Sequence, residues 1–250
     1  MESIEELTAP FLLPGAGERA STMILMVHGF TGSPLEFRRL GHYLNRHGYT
    51  VHAVRLPGHG TTLKDMTRTR WSDWWAHIVS SYEDVIRFGG KKIVAVGHSM
   101  GGLLALKLAV EKKVDGAVCL STPIYIQKRL ACVEVMKQWL GNSSKSAPAA
   151  PAAAESFYYA KPPLQCLISL WFLLSHVKRS LAQVRTPLLI TQGSRDEVVH
   201  PRSADYIYGN TSSPFKAIKY YPNSTHAILT DHDRDQLYSD IYHFVNRIIG

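Results

Sequence analysis

Gly97-His98-Ser99-Met100-Gly101 places a serine between two glycines, at a junction between segments of different character. The preceding Lys92-Ile93-Val94-Ala95-Val96 is β-branched and apolar and reads as a buried strand. The following Gly102-Leu103-Leu104-Ala105-Leu106-Lys107-Leu108-Ala109 is rich in helix formers. A strand, a tight turn and a helix in that order lift a serine hydroxyl above a sheet edge, where an acyl carbon can reach it. The chemistry this suggests is nucleophilic attack on a carbonyl. The turn is expected to hold Ser99 in a strained backbone conformation. Gly97 and Gly101, without side chains, let strand and helix approach closely.

A serine hydroxyl is a weak nucleophile unless a base removes its proton during attack. With a turn of this kind, the acid and then the histidine follow the nucleophile along the chain, each in a loop after a late strand. Thr186-Pro187-Leu188-Leu189-Ile190-Thr191-Gln192 reads as such a strand, and Gly193-Ser194-Arg195-Asp196-Glu197 follows it. Asp196 is the expected acid, with Glu197 its adjacent rival. Tyr220-Tyr221-Pro222-Asn223-Ser224-Thr225-His226 closes the last strand, so His226 is the expected base. His232 and His243 fall in the helix that follows. His28, His59, His98 and His200 are assigned to turns or packing. In this scheme Ser99 attacks, His226 takes its proton and returns it to the leaving group, and Asp196 fixes the imidazole tautomer. The tetrahedral intermediate needs hydrogen-bond donors already in place. The N–H of Met100, at the start of the helix, and the N–H of Phe30, in His28-Gly29-Phe30-Thr31-Gly32, are the expected pair. Losing one such donor costs about 3 to 4 kcal/mol of transition-state stabilisation.

These residues need a frame. Thr22–Val27 reads as a buried strand, and Pro34 opens a helix with Phe37, Leu40 and Leu44 on one face. Tyr49–Arg55 is a second strand, closed by Leu56-Pro57-Gly58-His59-Gly60. A helix over 72–88 would turn Trp75, Ile78, Val79, Tyr82, Val85 and Ile86 inward. Strands over 115–120, 186–192 and 215–221 and a final helix over 231–249 complete the pattern. Short apolar strands alternating with helices predict an α/β fold, with a mostly parallel sheet covered on both faces. Residues 123–183 break the rhythm. They separate a core of 1–122 and 184–250 and read as a small helical cap insertion. Within it, 143–156 is rich in Ala, Pro and Ser and is expected to be an exposed, mobile linker. Leu164–Val177 is too apolar for a helix with one buried side. It is expected to be the inner wall of the cap, facing both core and substrate, with an ordinary core helix as the plainer alternative. Gly29, Leu167, Ile168, Trp171 and Val198 are the candidate substrate contacts.

Composition narrows the classes. The 250 residues are 45% hydrophobic, enough for one domain with a full core. The net charge of +8 comes from scattered Lys and Arg, and no nucleic-acid motif accompanies it. Cys119, Cys132 and Cys166 lack metal or redox spacing and suit buried thiols in a reducing cytoplasm. The acidic start, Met1-Glu2-Ser3-Ile4-Glu5-Glu6, is unlike a signal peptide. No apolar run reaches the length of a membrane span, so membrane contact is not expected. Asp231-His232-Asp233 is read as acids at a helix start rather than metal ligands. Neither a metal nor a cofactor is expected.

Together these segments resemble the α/β-hydrolase superfamily, and within it the small carboxylesterases and monoacylglycerol lipases of bacilli. The resemblance is carried by His28-Gly29-Phe30-Thr31-Gly32, Leu56-Pro57-Gly58-His59-Gly60, Asp73-Trp74-Trp75, Gly97-His98-Ser99-Met100-Gly101, Arg195-Asp196-Glu197-Val198-Val199 and Ser224-Thr225-His226. It implies a short-to-medium acyl ester or a monoglyceride as substrate, a small helical cap and no cofactor. The Ala/Pro-rich segment departs from the charged helical segment the resemblance implies for the cap. Thioester or other acyl hydrolysis and a non-catalytic ligand-binding role are the competing readings. Serine rather than aspartate at position 99 argues against chemistry in which a carboxylate attacks carbon directly.

Overall fold

Strand β2 (Thr22–Val27) shows how the sheet is built. Met23, Leu25 and Val27 pack into one apolar cluster, while Ile24 and Met26 pack into another on the opposite face. Alternate residues of a strand point to opposite faces, so a strand apolar at every position must be covered on both sides. The computed structural model describes residues 4–127, 157–159 and 162–249. Among them, β1 (Phe11–Leu13), β2, β3 (Thr50–Val54), β4 (Lys92–His98), β5 (Gly116–Leu120), β6 (Leu188–Gly193) and β7 (Lys216–Tyr221) form one seven-stranded sheet. Its order is β1-β3-β2-β4-β5-β6-β7, with β1 antiparallel to β3 and every other pairing parallel. The nucleophile strand β4 is therefore central, and the strand-end loops that carry chemistry gather at one edge.

Helices α2 (Arg38–Arg46) and α8 (Arg234–Ile249) supply apolar side chains to one face, including Leu40, Leu44, Leu237, Ile241 and Phe244. Helices α4 (Trp71–Arg87), α5 (Met100–Glu111), α6 (Leu164–Ser180) and α7 (Arg202–Asn210) cover the other. Short helices α1 (Ile4–Leu7) and α3 (Leu63–Thr67) complete the set. Expectation and structure differ in places. Strand β1 and helix α7 are additions, being short and weakly patterned. Pro34 opens a 3-10 turn (Pro34–Phe37) before α2 begins. In α4 the expected Ile78, Tyr82 and Val85 are buried, Trp74 joins them, and Ile86 is exposed.

The correction with most consequence concerns α6. Its buried residues, Cys166, Ser169, Leu173, Leu174 and Val177, recur at helical spacing on one side. Leu164, Ile168, Trp171 and Phe172 lie on the exposed side, and Leu167 is half-buried. The apolar run is thus a helix with one buried side after all. Polar residues that interrupt the run in sequence are what dock it. Ser169 Oγ accepts the Trp71 N–H at 2.7 Å, which satisfies a donor left free at the start of α4. Gln165 Nε2 donates to Thr67 O, and His176 stacks on Trp71 with ring centroids 5.6 Å apart. The 143–156 segment and Cys132 lie outside the described residues. Among those described, no helix is long and apolar enough to cross a membrane.

Candidate active site

Ser99 links β4 to α5 with φ 53° and ψ −119°, a left-handed conformation that a non-glycine residue adopts only under constraint. The surrounding close approach is real. A Cβ on Gly97 would lie 2.1 Å from Gly101 O, and one on Gly101 would lie 1.9 Å from Val27 O. Neither position accepts a side chain without displacing backbone. The turn therefore sits wedged against the end of β2, which carries the Gly29-Phe30 loop.

The loops after β6 and β7 bring two further groups to Ser99. The Ser99 hydroxyl donates to His226 Nε2 at 3.1 Å, and His226 Nδ1 donates to Asp196 Oδ2 at 2.9 Å. Gly193 permits this meeting, since a Cβ there would lie 2.4 Å from Thr225 O. Asp196 accepts four hydrogen bonds. Oδ1 takes the N–H groups of Val198 at 2.9 Å and Val199 at 2.8 Å, while Oδ2 takes His226 and Gln192 Nε2, the latter at 2.9 Å. Burial pushes this carboxyl up, but the His226 bond and charge and the two backbone donors outweigh it and hold it below its ordinary value. Glu197 instead accepts the His226 backbone N–H at 3.4 Å.

Opposite the turn, Gly32 N–H donates to Gly29 O at 3.1 Å, and Thr31 adopts a positive φ of 62°. Among the described residues, the N–H groups of Phe30 and Met100 have no acceptor. The Phe30 ring rests edge-on against Trp74 at 5.8 Å and His59 at 6.1 Å. The resemblance motifs around His59 and Trp74 are thus the support beneath the Phe30 turn. His59 is pushed down to about 3 by burial and by the neighbouring His28, so it packs as a neutral ring. His28 donates from Nδ1 to Gly29 O and accepts the Leu56 N–H at Nε2, a neutral tautomer.

Several residues shape this site that the sequence did not single out. His98, assigned there to turn or packing, is a buried, hydrogen-bonded member of the site. Its Nδ1 lies 3.1 Å from Oε1 of buried Glu36, and its Nε2 lies 3.0 Å from His226 O. Glu36 Oε1 also accepts the Gly29 N–H at 2.9 Å, and Oε2 accepts the Tyr158 hydroxyl at 3.1 Å. Asp231 and Asp233 do precede the final helix, and their carboxylates also hold the His226 loop. Asp231 Oδ2 accepts both the N–H and the hydroxyl of Thr225 at 2.7 Å. Asp233 Oδ2 accepts the Asn223 N–H at 2.8 Å and the Ser224 hydroxyl at 3.0 Å. Among the described residues no group of three metal-binding side chains gathers. Of the candidate substrate contacts, Gly29 lies at the site, where a Cβ would meet the Ser99 Cβ at 3.4 Å. Val198 enters through its N–H on Asp196. Ile168 and Trp171 occupy the exposed side of α6. A surface groove of about 510 Å³, lined by Arg38, His42, Arg46 and Arg234 among others, includes none of Ser99, Asp196 and His226.

Comparison with known proteins identifies the family of this chain. The family model described as serine aminopeptidase, S33, matches residues 18–233. A carboxylesterase of Bacillus subtilis (strain 168) is 31% identical over 241 residues, covering 96% of each chain. A thermostable monoacylglycerol lipase of Bacillus sp. (strain H-257) is 32% identical over 229 residues, covering 90% of each. A solved structure from work on the metagenome-derived lipolytic enzymes LipS and LipT superposes with a TM-score of 0.81 at 26% identity, over 96% of this chain and 98% of that one. With its β4–Ser99–α5 turn, its seven-stranded sheet and these matches along most of its length, the chain belongs to the serine aminopeptidase S33 family of α/β-hydrolases.

Proposed function

We propose that this protein is a serine carboxylesterase that hydrolyses short-to-medium acyl esters through an acyl-enzyme on Ser99. The observation that carries the reading is the hydrogen-bonded line Ser99–His226–Asp196, with His226 Nε2 3.1 Å from Ser99 Oγ and Nδ1 2.9 Å from Asp196 Oδ2. Ser99 Oγ attacks the ester carbonyl as its proton passes to His226 Nε2. The Phe30 and Met100 N–H groups take the developing oxyanion. The C–O bond breaks, and His226 gives its proton to the departing alkoxide. Water then attacks the acyl-enzyme, His226 again taking and returning one proton, and the acid leaves. Asp196 remains a carboxylate throughout and stabilises the imidazolium.

The monoacylglycerol lipase similar to this chain favours a second reading, in which the alcohol is glycerol. Residues 123–183 are the proposed cap, and Leu167, Ile168 and Trp171 the proposed contacts from it. Cys119 and Cys166 are buried free thiols, which suits a cytoplasmic location. The test compares kcat/KM on p-nitrophenyl esters of increasing acyl length, on monoacylglycerols of matched length, and on aminoacyl p-nitroanilides. Ester turnover that Ser99→Ala abolishes while circular dichroism stays unchanged supports the assignment. Turnover of the anilides alone, or ester turnover that survives in Ser99→Ala, overturns it.

A further inference from the structure

His98 lies between two acceptors. Nδ1 faces the Glu36 carboxylate and Nε2 faces the His226 carbonyl. A neutral imidazole carries one N–H and can serve only one of them, whereas an imidazolium serves both. The counter-charge is Glu36, whose side chain is 3% exposed against 2% for His98. A buried ion pair survives desolvation only when its remaining hydrogen-bond positions are filled. Glu36 is supported in this way, since Oε1 also takes the Gly29 N–H and Oε2 takes the Tyr158 hydroxyl. The protonation states agree with the geometry. Burial pushes His98 down, but the Glu36 charge and bond, the His226 carbonyl and the Asp196 charge together carry it above its ordinary value. Burial pushes Glu36 up, and His98, His28 and the Gly29 N–H more than offset it.

These bonds form one line, from Gly29 N–H through Glu36 and His98 to the carbonyl of His226. Gly29 precedes the proposed oxyanion donor Phe30, His98 precedes Ser99, and His226 is the proposed base. Three segments distant in sequence are thus tied together by a route that bypasses both Ser99 Oγ and Asp196. We propose that Glu36 and protonated His98 are positioning residues, a buried strut that sets the oxyanion turn and the base at their working distances from Ser99, so that activity falls when His98 loses its proton. The proposal rests on the reading of Ser99, Phe30 and His226 given above. A neutral His98 must release either Glu36 or the His226 carbonyl. Sub-ångström slack at either end matters, because misplacement by about 1 Å costs on the order of a hundredfold in rate. The charged and titratable groups facing His98 are Glu36, His226, Asp196 and His28. Glu36 and Asp196 stay ionised above neutral pH, and burial keeps His28 neutral. His226, as the proposed base, works by accepting a proton. The alkaline change of charge therefore belongs to His98.

Glu36→Gln tests this while keeping shape. The amide oxygen can accept from Gly29 and His98, and its NH2 can donate to the Tyr158 oxygen, but the counter-charge is gone. His98 then loses its proton at lower pH, and the alkaline limb of kcat/KM should move down by about one pH unit or more. Above that limb, turnover falls about tenfold with KM nearly unchanged. His98→Gln carries no titrating proton and should abolish the limb. The rate of Ser99 labelling by a fluorophosphonate, followed against pH, gives the same comparison without an ester. Profiles of Glu36→Gln and wild type that coincide overturn the strut. So does a loss of equal size at every pH, which marks a merely structural residue. Wild-type protein that labels at Ser99 yet turns over no ester refutes the esterase reading instead, and the labelling profiles still decide the strut. Absence of labelling in the wild type refutes both.

Discussion

Replacing Asp196 by Asn changes one oxygen to an amide nitrogen, and the surroundings of the side chain dictate which one. Oδ1 faces two backbone donors, Val198 N–H and Val199 N–H. Oδ2 faces His226 Nδ1 and Gln192 Nε2. Each buried donor left without an acceptor costs about 1 to 3 kcal/mol. Turning the NH2 toward the two backbone groups would therefore cost about 2 to 6 kcal/mol. The other side can adapt. The imidazole can move its proton, and Gln192 can turn over its amide, whose buried Oε1 has no present partner among the described residues. The Asn NH2 therefore faces His226, which must accept at Nδ1 and carry its proton on Nε2. An N–H then confronts Ser99 Oγ, and the base can no longer accept. A change of this kind in a serine protease triad lowers kcat about 10⁴-fold, or roughly 5.4 kcal/mol at about 1.36 kcal/mol per tenfold. The measurement is kcat on a p-nitrophenyl ester, corrected by active-site titration, with thermal melts alongside. A Tm within a few degrees of wild type is expected. A well-folded Asp196→Asn enzyme that loses less than about a hundredfold would refute the tautomer argument.

Gly101→Ala should fail structurally. Its Cβ would meet Val27 O at 1.9 Å, a backbone atom of a central strand, so a loss of about 3 kcal/mol or more and a displaced Ser99 are expected in melts and in fluorophosphonate labelling. Asp231→Ala removes the acceptor of two Thr225 donors and should lower kcat about tenfold, with partial recovery in Asp231→Asn; an unchanged kcat would show that the His226 loop needs no such tether. Acid stability follows from Asp196 and Glu36, both held below their ordinary values of 3.8 and 4.5. A depressed carboxyl contributes stability that is complete above its unfolded value and is lost as pH falls through its folded one. The wild-type Tm should thus hold steady above about pH 5 and decline below about pH 4, less steeply in Asp196→Asn.

The parts of this molecule legible in sequence are those that follow from local rules. Short, nearly continuous apolar runs mark β2, β4 and β5. Glycines at 97 and 101 mark a turn, and chain order orders Ser99, Asp196 and His226. What escaped depends on tertiary partners. Glu36 sits at the first turn after Pro34 and looks like an ordinary helix-start acid, but its partners are Gly29, His98 and Tyr158. Asp231 and Asp233 do stand at a helix start, but their carboxylates bind backward onto residues 223–225, which the local signal does not reveal. Helix α6 is more one-sided than its composition suggests, because tertiary contacts decide which of its apolar residues are buried. Ser169 and Gln165, polar residues within the apolar run, are the ones that dock it, through partners on α4 and at the end of α3.

The saturation of Asp196 has a consequence for proton traffic. With four donors holding its carboxylate in the ionised form, the acid is a poor taker of the hydrogen that His226 already directs at it. Motion of protons during each chemical step is then confined to a single transfer at the imidazole's far nitrogen. Rates measured in mixtures of light and heavy water should accordingly vary linearly with deuterium fraction, the signature of one hydrogen in flight rather than a relay of two.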